Sequence, residues 1–448
     1  MTATDAARVV TTRHRYAFVL LGSIQATLIF TLAALAVPLA RIGREFDLER
    51  ADLILLSAAY GLTFTGLLLF GGRLADRYGG RRALTAGLVL FAAASAAAPL
   101  APGIGALLSA RFAQGAGAAL VAPAAMAVLR TVFPSLTAYG RAMATWGGLS
   151  VLGATAGNLL SGVISALLSW RWTFAVPLVV ALAALALTPR LLPDTAPNQH
   201  RTLDLPGALL ATGGITLASY GLVVTDARPW SSADVLVPLL GGTALLAAFW
   251  HAERHARDPL LPPRFLLDQQ RALALTAIAL SACGTAITFV VLSLHLQQAR
   301  DWSPLQTSAA FVPFAIALTA SGRVAGPLIG RYGARAVTTA GLGTGAAGLA
   351  FLALTGLDAH TSYAYGLLPG LVLLPAGTAA SFAGATVRAT EGVPQQQTGL
   401  AGGVLNTAME FGPTVLFAVL LTLGSDASSL AVTGAALAVV ALLNHRTK

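Results

Sequence analysis

Apolar residues fill this sequence in long blocks rather than in stripes. Segments such as Ala86–Ala101 and Val237–Phe249 are apolar on every side, whereas a helix half-buried in a soluble protein repeats its apolar residues at i, i+3 and i+4. The solvent for such surfaces must be lipid. A block of about 18–25 residues, rising 1.5 Å per residue, crosses a hydrocarbon core about 30 Å thick. On that measure spans are predicted at 16–40, 51–71, 83–101, 104–129, 140–165 and 171–189, then 203–225 and 234–252. A last group follows at 272–296, 305–330, 335–356, 361–386, 399–423 and 428–444. The predicted fold is an all-α membrane protein of 14 transmembrane helices: a six-helix bundle over 1–190, two inserted helices with connectors over 191–270, and a second six-helix bundle over 271–448.

An internal repeat explains the two bundles. Gly72-Arg-Leu-Ala-Asp-Arg-Tyr-Gly-Gly-Arg81 lies over Gly326-Pro-Leu-Ile-Gly-Arg-Tyr-Gly-Ala-Arg335, and the identity runs on through Thr85-Ala-Gly-Leu88 and Thr339-Ala-Gly-Leu342. At nearly the same offset, Gly147-Gly148 and Gly157 lie over Gly402-Gly403 and Gly412. Each copy falls between the second and third helix of its half, so the halves are parallel repeats. Parallel repeats about an axis along the membrane normal are a common way to build a central site that faces each side in turn.

Composition agrees with the pattern: 56% of residues are hydrophobic and 10% charged, with mean hydropathy +0.74. The lone cysteine, Cys283, excludes an intrachain disulfide and lies inside a predicted span, which favours a buried structural thiol. Most of the 28 basic residues, all arginine except Lys448, fall in the N-terminal tail, the even-to-odd loops and the C-terminus. The positive-inside rule makes that side cytoplasmic and puts both termini there; arginine in place of lysine and abundant alanine suggest a bacterial genome, and so a bacterial inner membrane. The formal charge of +10 is therefore a topology signal and an affinity for anionic membrane lipid, not a nucleic-acid footprint. The sequence contains no Walker loop, cysteine–histidine metal cluster or nucleophile triad, so neither enzyme chemistry, a metal nor a cofactor is expected.

The loop Gly72-Arg73-Leu74-Ala75-Asp76-Arg77-Tyr78-Gly79-Gly80-Arg81-Arg82 and the segment Arg111-Phe-Ala-Gln114-Gly115-Ala-Gly117 resemble signature motifs of the major facilitator superfamily, and within it of the fourteen-helix drug:proton antiporter branch. The resemblance covers essentially the whole chain. It implies alternating access by two rocking halves, export of a small amphiphilic compound (a drug, antibiotic or secondary metabolite) and entry of protons, by a chain expected to act as a monomer. Two other readings stand beside it: a proton-coupled uptake symporter or facilitator, and a transport-inactive membrane sensor.

Glycines at the ends of the loop, Gly72 and Gly79 among them, let the chain turn tightly, and Asp76 is an acid among Arg73, Arg77, Arg81 and Arg82. Such an acid either pairs across an interface or sits at a neighbouring helix N-terminus, where it would latch the cytoplasmic side. The second copy has Gly330 in its place, so the latch is expected to be asymmetric.

Charges inside the bilayer are costly and usually functional. Of the 18 acids, Glu410 alone lies near the middle of a predicted span, which makes it the leading proton-coupling candidate, with Arg111 as the one basic residue well inside a span. Gln25, Tyr60, Asn158 and Asn406 are polar groups within spans and candidates for lining a substrate cavity. Gly153 and Gly157 on the fifth helix, and Gly412-Pro413 just after Glu410, are candidate interface and kink positions. The resemblance fails at two places: Gly157-Asn158 stands where relatives read Gly-Pro, and Ile29 stands where cation exporters of the branch have an acid. The second departure points to neutral, zwitterionic or anionic substrates.

Overall fold

A computed structural model describes residues 3–35, 38–48, 50–194, 202–225, 228–302, 304–357, 361–394, 397–420 and 426–446. Among these there is no strand. The helices are α1 (Ala3–Ala33), α2 (Leu39–Phe46), α3 (Arg50–Tyr78), α4 (Gly80–Ala97), α5 (Ile104–Val132), α6 (Leu136–Leu167), α7 (Ala175–Leu191), α8 (Leu205–Val224) and α9 (Ala233–His255). They continue with α10 (Pro263–Leu267), α11 (Gln269–Leu294), α12 (Pro304–Ala310), α13 (Val312–Phe351), α14 (Tyr363–Gly366), α15 (Leu368–Thr390), α16 (Thr398–Leu420) and α17 (Asp426–Arg446).

Among the described residues, 11 stretches are long and apolar enough to cross a membrane. One of them, Val312–Thr355, has 44 residues. At 1.5 Å each it would be about 66 Å long, roughly twice a hydrocarbon core. It is broken at Gly333, whose φ of 82° and ψ of 154° are not helical. The repeat predicts this break. Gly79, its counterpart in the first copy, has φ 92° and ψ 139°, a region open to glycine and costly for residues with a Cβ. The sequence reading expected a loop here. Instead the motif is helical up to Tyr78 and again from Gly80, because a single residue at positive φ reverses the chain without spending more backbone hydrogen bonds, which a membrane face cannot replace.

The chain divides into two compact units. The first comprises Met1–Pro134, Leu149–Pro263 and Val393–Thr407. In it α3 packs on α4, α5 and α8, α8 pairs with α9, and α7 packs on α1 and α4. The second comprises Ser135–Gly148, Arg264–Gly392 and Ala408–Lys448; there α15 and α17 pack on both α11 and α13. Each unit uses the repeat the same way. A Cβ on Gly87 would come 2.8 Å from the Gly117 carbonyl oxygen, and one on Gly341 would come 2.7 Å from that of Gly377, so small residues let the helix backbones touch.

At the end of α3 opposite Asp76, Leu35, Ile42, Leu56, Trp170 and Phe174 close the first unit with an apolar cluster. Glu45 on α2 sits over it, accepting from Trp170 Nε1 at 2.6 Å and pairing with Arg171 Nη2 at 2.7 Å. The Arg171 hydrogen bond, helped by that of Trp170 and opposed by slight burial, holds the Glu45 carboxyl below the usual carboxylate range. A lowered value means that its stabilisation is full above the ordinary carboxylate pKa of about 4.3 and is lost as the pH falls through the folded value. Both side chains are over a third exposed or nearly so, so the pair contributes only about 0.2–1 kcal/mol. Thermal unfolding of Glu45→Gln is expected to match the wild type at acid pH and to fall slightly below it at neutral pH; an equal gap at both would show that the ion pair does not matter.

Candidate functional site

Asp76 lies in the last turn of α3, only 5% exposed. Its two carboxylate oxygens accept the backbone N–H groups of Gly399 at 2.6 Å and Leu400 at 2.9 Å. Those groups belong to the first turn of α16, where a helix has N–H groups without intrahelical partners and a partial positive charge. Of the two placements the sequence allowed, the acid takes the helix N-terminus. Close approach makes the contact possible, since a Cβ on Gly72 would lie 2.4 Å from the Gly399 carbonyl oxygen.

The surrounding arginines divide among different partners. Arg73 is fully buried and turns to the connectors of the α8–α9 pair: Nε donates to the Thr202 carbonyl at 2.7 Å, and Nη2 meets the Asp258 carbonyl at 2.8 Å and its carboxylate at 2.6 Å. Arg81 donates to the Leu192 carbonyl at 3.3 Å and to Asp194 at 2.6 Å, just past the end of α7. Its repeat counterpart, Arg335, donates to the carbonyls of Asn444 and His445 at the end of α17. Both copies therefore place a cation on the negative end of a later helix of their own unit. Arg77 lies over the ring of Tyr78 at 5.5 Å, as Arg331 lies over Tyr332 at 5.2 Å, and Arg82 is exposed.

A second group gathers around Arg111 on α5, which is fully buried. Its Nη1 donates to the Thr31 carbonyl and to Gln114 Oε1, both at 3.2 Å. Its guanidinium stands over the ring of Tyr60, 5.0 Å from the centroid, a favourable cation–π placement where water is absent. Tyr60 donates from its hydroxyl to the Leu28 carbonyl at 2.9 Å, and Gln114 donates to Ser95 Oγ at 2.9 Å. One cation thus ties α1, α3, α4 and α5 together. Arg111 Nε and Nη2 have no hydrogen-bond partner among the described residues. The sequence had Tyr60 as a cavity residue and Arg111 as a proton residue; the fold puts them in one cluster.

The remaining candidates are spread over α1, α6 and α16. Gln25 is 1% exposed and donates to Ser150 Oγ at 3.1 Å. Asn406 is fully buried, its Nδ2 facing Met126 Sδ and the Gly402 carbonyl, each at 2.8 Å. Gly153 and Gly157 on α6 press against α1, since a Cβ at either would meet the carbonyl oxygen of Ala26 at 2.2 Å or of Phe30 at 2.7 Å. The α6 and α16 backbones carry Asn158, Gly412 and Pro413, whose side chains lie outside the described residues. Glu410 lies on α16 and is half-buried.

No residue of the inserted helices and connectors over 191–270 was a candidate from the sequence, so Asp204, Glu253 and Asp258 were missed. One signal was available: Glu253 is an acid only a turn from the apolar stretch that ends at Trp250.

The profile described as Major Facilitator Superfamily matches residues 19–417. The chain belongs to that superfamily. It is 35% identical over 405 residues, 90% of this chain and 83% of the other, to the cephamycin export protein CmcT of Amycolatopsis lactamdurans. It is 33% identical over 419 residues, 93% of this chain and 83% of the other, to the puromycin resistance protein pur8 of Streptomyces alboniger. The solved structure of the human organic anion transporter MFSD10 (TETRAN) superposes with a TM-score of 0.68 at 19% identity, covering 98% of this chain and 99% of that one. A likeness at that identity speaks for the fold. This superfamily member is therefore a multi-pass membrane transport protein with a small-molecule substrate, similar to antibiotic export and resistance proteins.

Proposed function

We propose that the protein exports small amphiphilic compounds, an antibiotic or secondary metabolite among them, in exchange for protons by alternating access. One observation carries the coupling: the helix bearing Glu410 is the helix whose first N–H groups Asp76 holds. The charge of Glu410 and the Asp76 contact then bear on the same helix. Asp76 acts as the latch, with Gly72, Arg73, Arg77, Gly79, Arg81 and Arg82 shaping its surroundings, and Glu410 with Arg111 handles the proton. Gln25, Tyr60, Asn158 and Asn406 line the substrate path, while Gly153, Gly157, Gly412 and Pro413 let α6 and α16 bend and pack. The working protein is a monomer of 14 spans, with bundles over 1–190 and 271–448, inserted helices over 191–270 and both termini in the cytoplasm of a bacterial cell.

The substrate class follows from the similarity to a cephamycin exporter and a puromycin resistance protein, together with Ile29 at the place where an acid would select cations. Cells expressing the protein are expected to tolerate more of at least one such antibiotic and to accumulate less of it, with accumulation restored by an uncoupler. In proteoliposomes, transport driven by a pH gradient of the opposite sign would replace export with uptake, and transport indifferent to either gradient would leave a facilitator.

A further inference from the structure

The inserted pair α8–α9 ends in a polar cluster beside Arg73. Glu253, in the last turn of α9, is 2% exposed. Its Oε2 accepts the Leu261 N–H at 2.8 Å, but its Oε1 is buried with no hydrogen-bond partner among the described residues. Asp204 faces it. That residue caps α8 from a left-handed backbone, φ 43°, and its oxygens accept the Gly207 N–H at 3.2 Å and the Leu260 N–H at 2.9 Å. Asp204 Oδ2 and Glu253 Oε1 each lie 2.5 Å from the place a Cβ on Gly207 would occupy, so the two oxygens converge on one point. The other charged groups facing the pair are Arg73 from α3 and, bound to Arg73, Asp258 from the connector. Arg73 is held by Thr202 and Asp258 through Nε and Nη2, while its Nη1 is buried with no hydrogen-bond partner among the described residues.

Two carboxylate oxygens turned on each other in a buried site repel unless a proton stands between them. Neither the backbone nor Arg73 supplies a donor to Glu253 Oε1. We infer that Glu253 and Asp204 share one bound proton, a second proton-binding site at the base of the inserted helices, separate from Glu410. The proton sits on Glu253 Oε1 and is donated to Asp204 Oδ2, which keeps the Leu260 and Leu261 N–H groups seated on the two acids. Those two residues follow Asp258 closely in the chain, and Asp258 holds Arg73, one turn before the latch acid Asp76. Loss of the proton drives the carboxylates apart and loosens the connector that anchors Arg73.

The test uses full-length protein in nanodiscs and needs no substrate. Glu410→Gln serves as the background, so that any infrared carbonyl band of a protonated carboxyl comes from elsewhere. One such band is expected at neutral pH, to vanish on alkalinisation and to be missing when Glu253→Gln is added. Asp204→Asn, whose amide can donate to a charged Glu253, should also remove it, and keeps the test open if Glu253→Gln does not fold. In the same background the thermal midpoint should fall as the pH rises from mildly acidic to mildly alkaline, because a proton held more tightly in the folded state stabilises it only while bound. Adding Glu253→Gln should flatten that slope. Absence of the band at neutral pH, or its survival in both added variants, overturns the shared proton.

Discussion

Glu410→Gln is expected to abolish uphill efflux while the protein still reaches the membrane and still equilibrates substrate down its own gradient. An ionisable group near the middle of an otherwise apolar helix is expensive to keep, and glutamine has a similar shape but cannot take up or release a proton. One proton moving through about 100 mV supplies roughly 2.3 kcal/mol, equal to about a 50-fold gradient of a neutral substrate. Proteoliposomes with an imposed pH gradient of about 1.7 units, the equivalent of that ~100 mV at roughly 1.36 kcal/mol per unit, should therefore show that accumulation in the wild type and none above equilibrium in the variant. Coupled transport left intact by Glu410→Gln would falsify the proton assignment. Position 410 precedes Pro413 by less than a turn of helix, and proline removes one rung of the hydrogen-bond ladder, so movement there bends the helix at low cost.

The second large effect belongs to Asp76→Asn. The wild-type carboxylate accepts two backbone N–H groups in a site closed to water, and hydrogen bonds to a charged group contribute about 1.5–3 kcal/mol each. Asparagine keeps one acceptor oxygen and turns an N–H₂ group toward the other donor. Losing one such bond favours the released state by roughly 10–100-fold. Cys283 is buried, so maleimide labelling can be read at an introduced thiol. In a Cys283→Ser background, Leu400→Cys is expected to label slowly while Asp76 is intact and at least tenfold faster once Asp76→Asn is added, with a matching loss of transport. Equal labelling with normal transport would reduce Asp76 to an ordinary helix cap.

Some of this was legible in the residues. The helical membrane fold was, because a bilayer tolerates only helices with their backbone satisfied and their surface apolar; the count of 14 spans was an expectation, beside 11 candidate spans among the described residues. The break at Gly79 and Gly333 was too, since a repeated glycine flanked by Arg-Tyr and a later arginine marks a backbone need shared by two copies. The helix-capping place of Asp76 was foreseen as one of two options. The partners of Arg73, Arg81 and Arg111 were not foreseen, nor was the meeting of Glu253 with Asp204.

The sequence by itself determined a multi-span helical membrane protein with an internal repeat and a few costly charges inside its apolar stretches. Tertiary structure alone decided where each charge goes. A helix that is apolar all round carries no stripe to say which neighbour it faces, so the choice of Asp258 for Arg73, of Tyr60 and Thr31 for Arg111, and of the α16 N-terminus for Asp76 is made by which helices end up adjacent. Those partners stand far apart along the chain, and only packing of backbone against backbone brings them within hydrogen-bond reach.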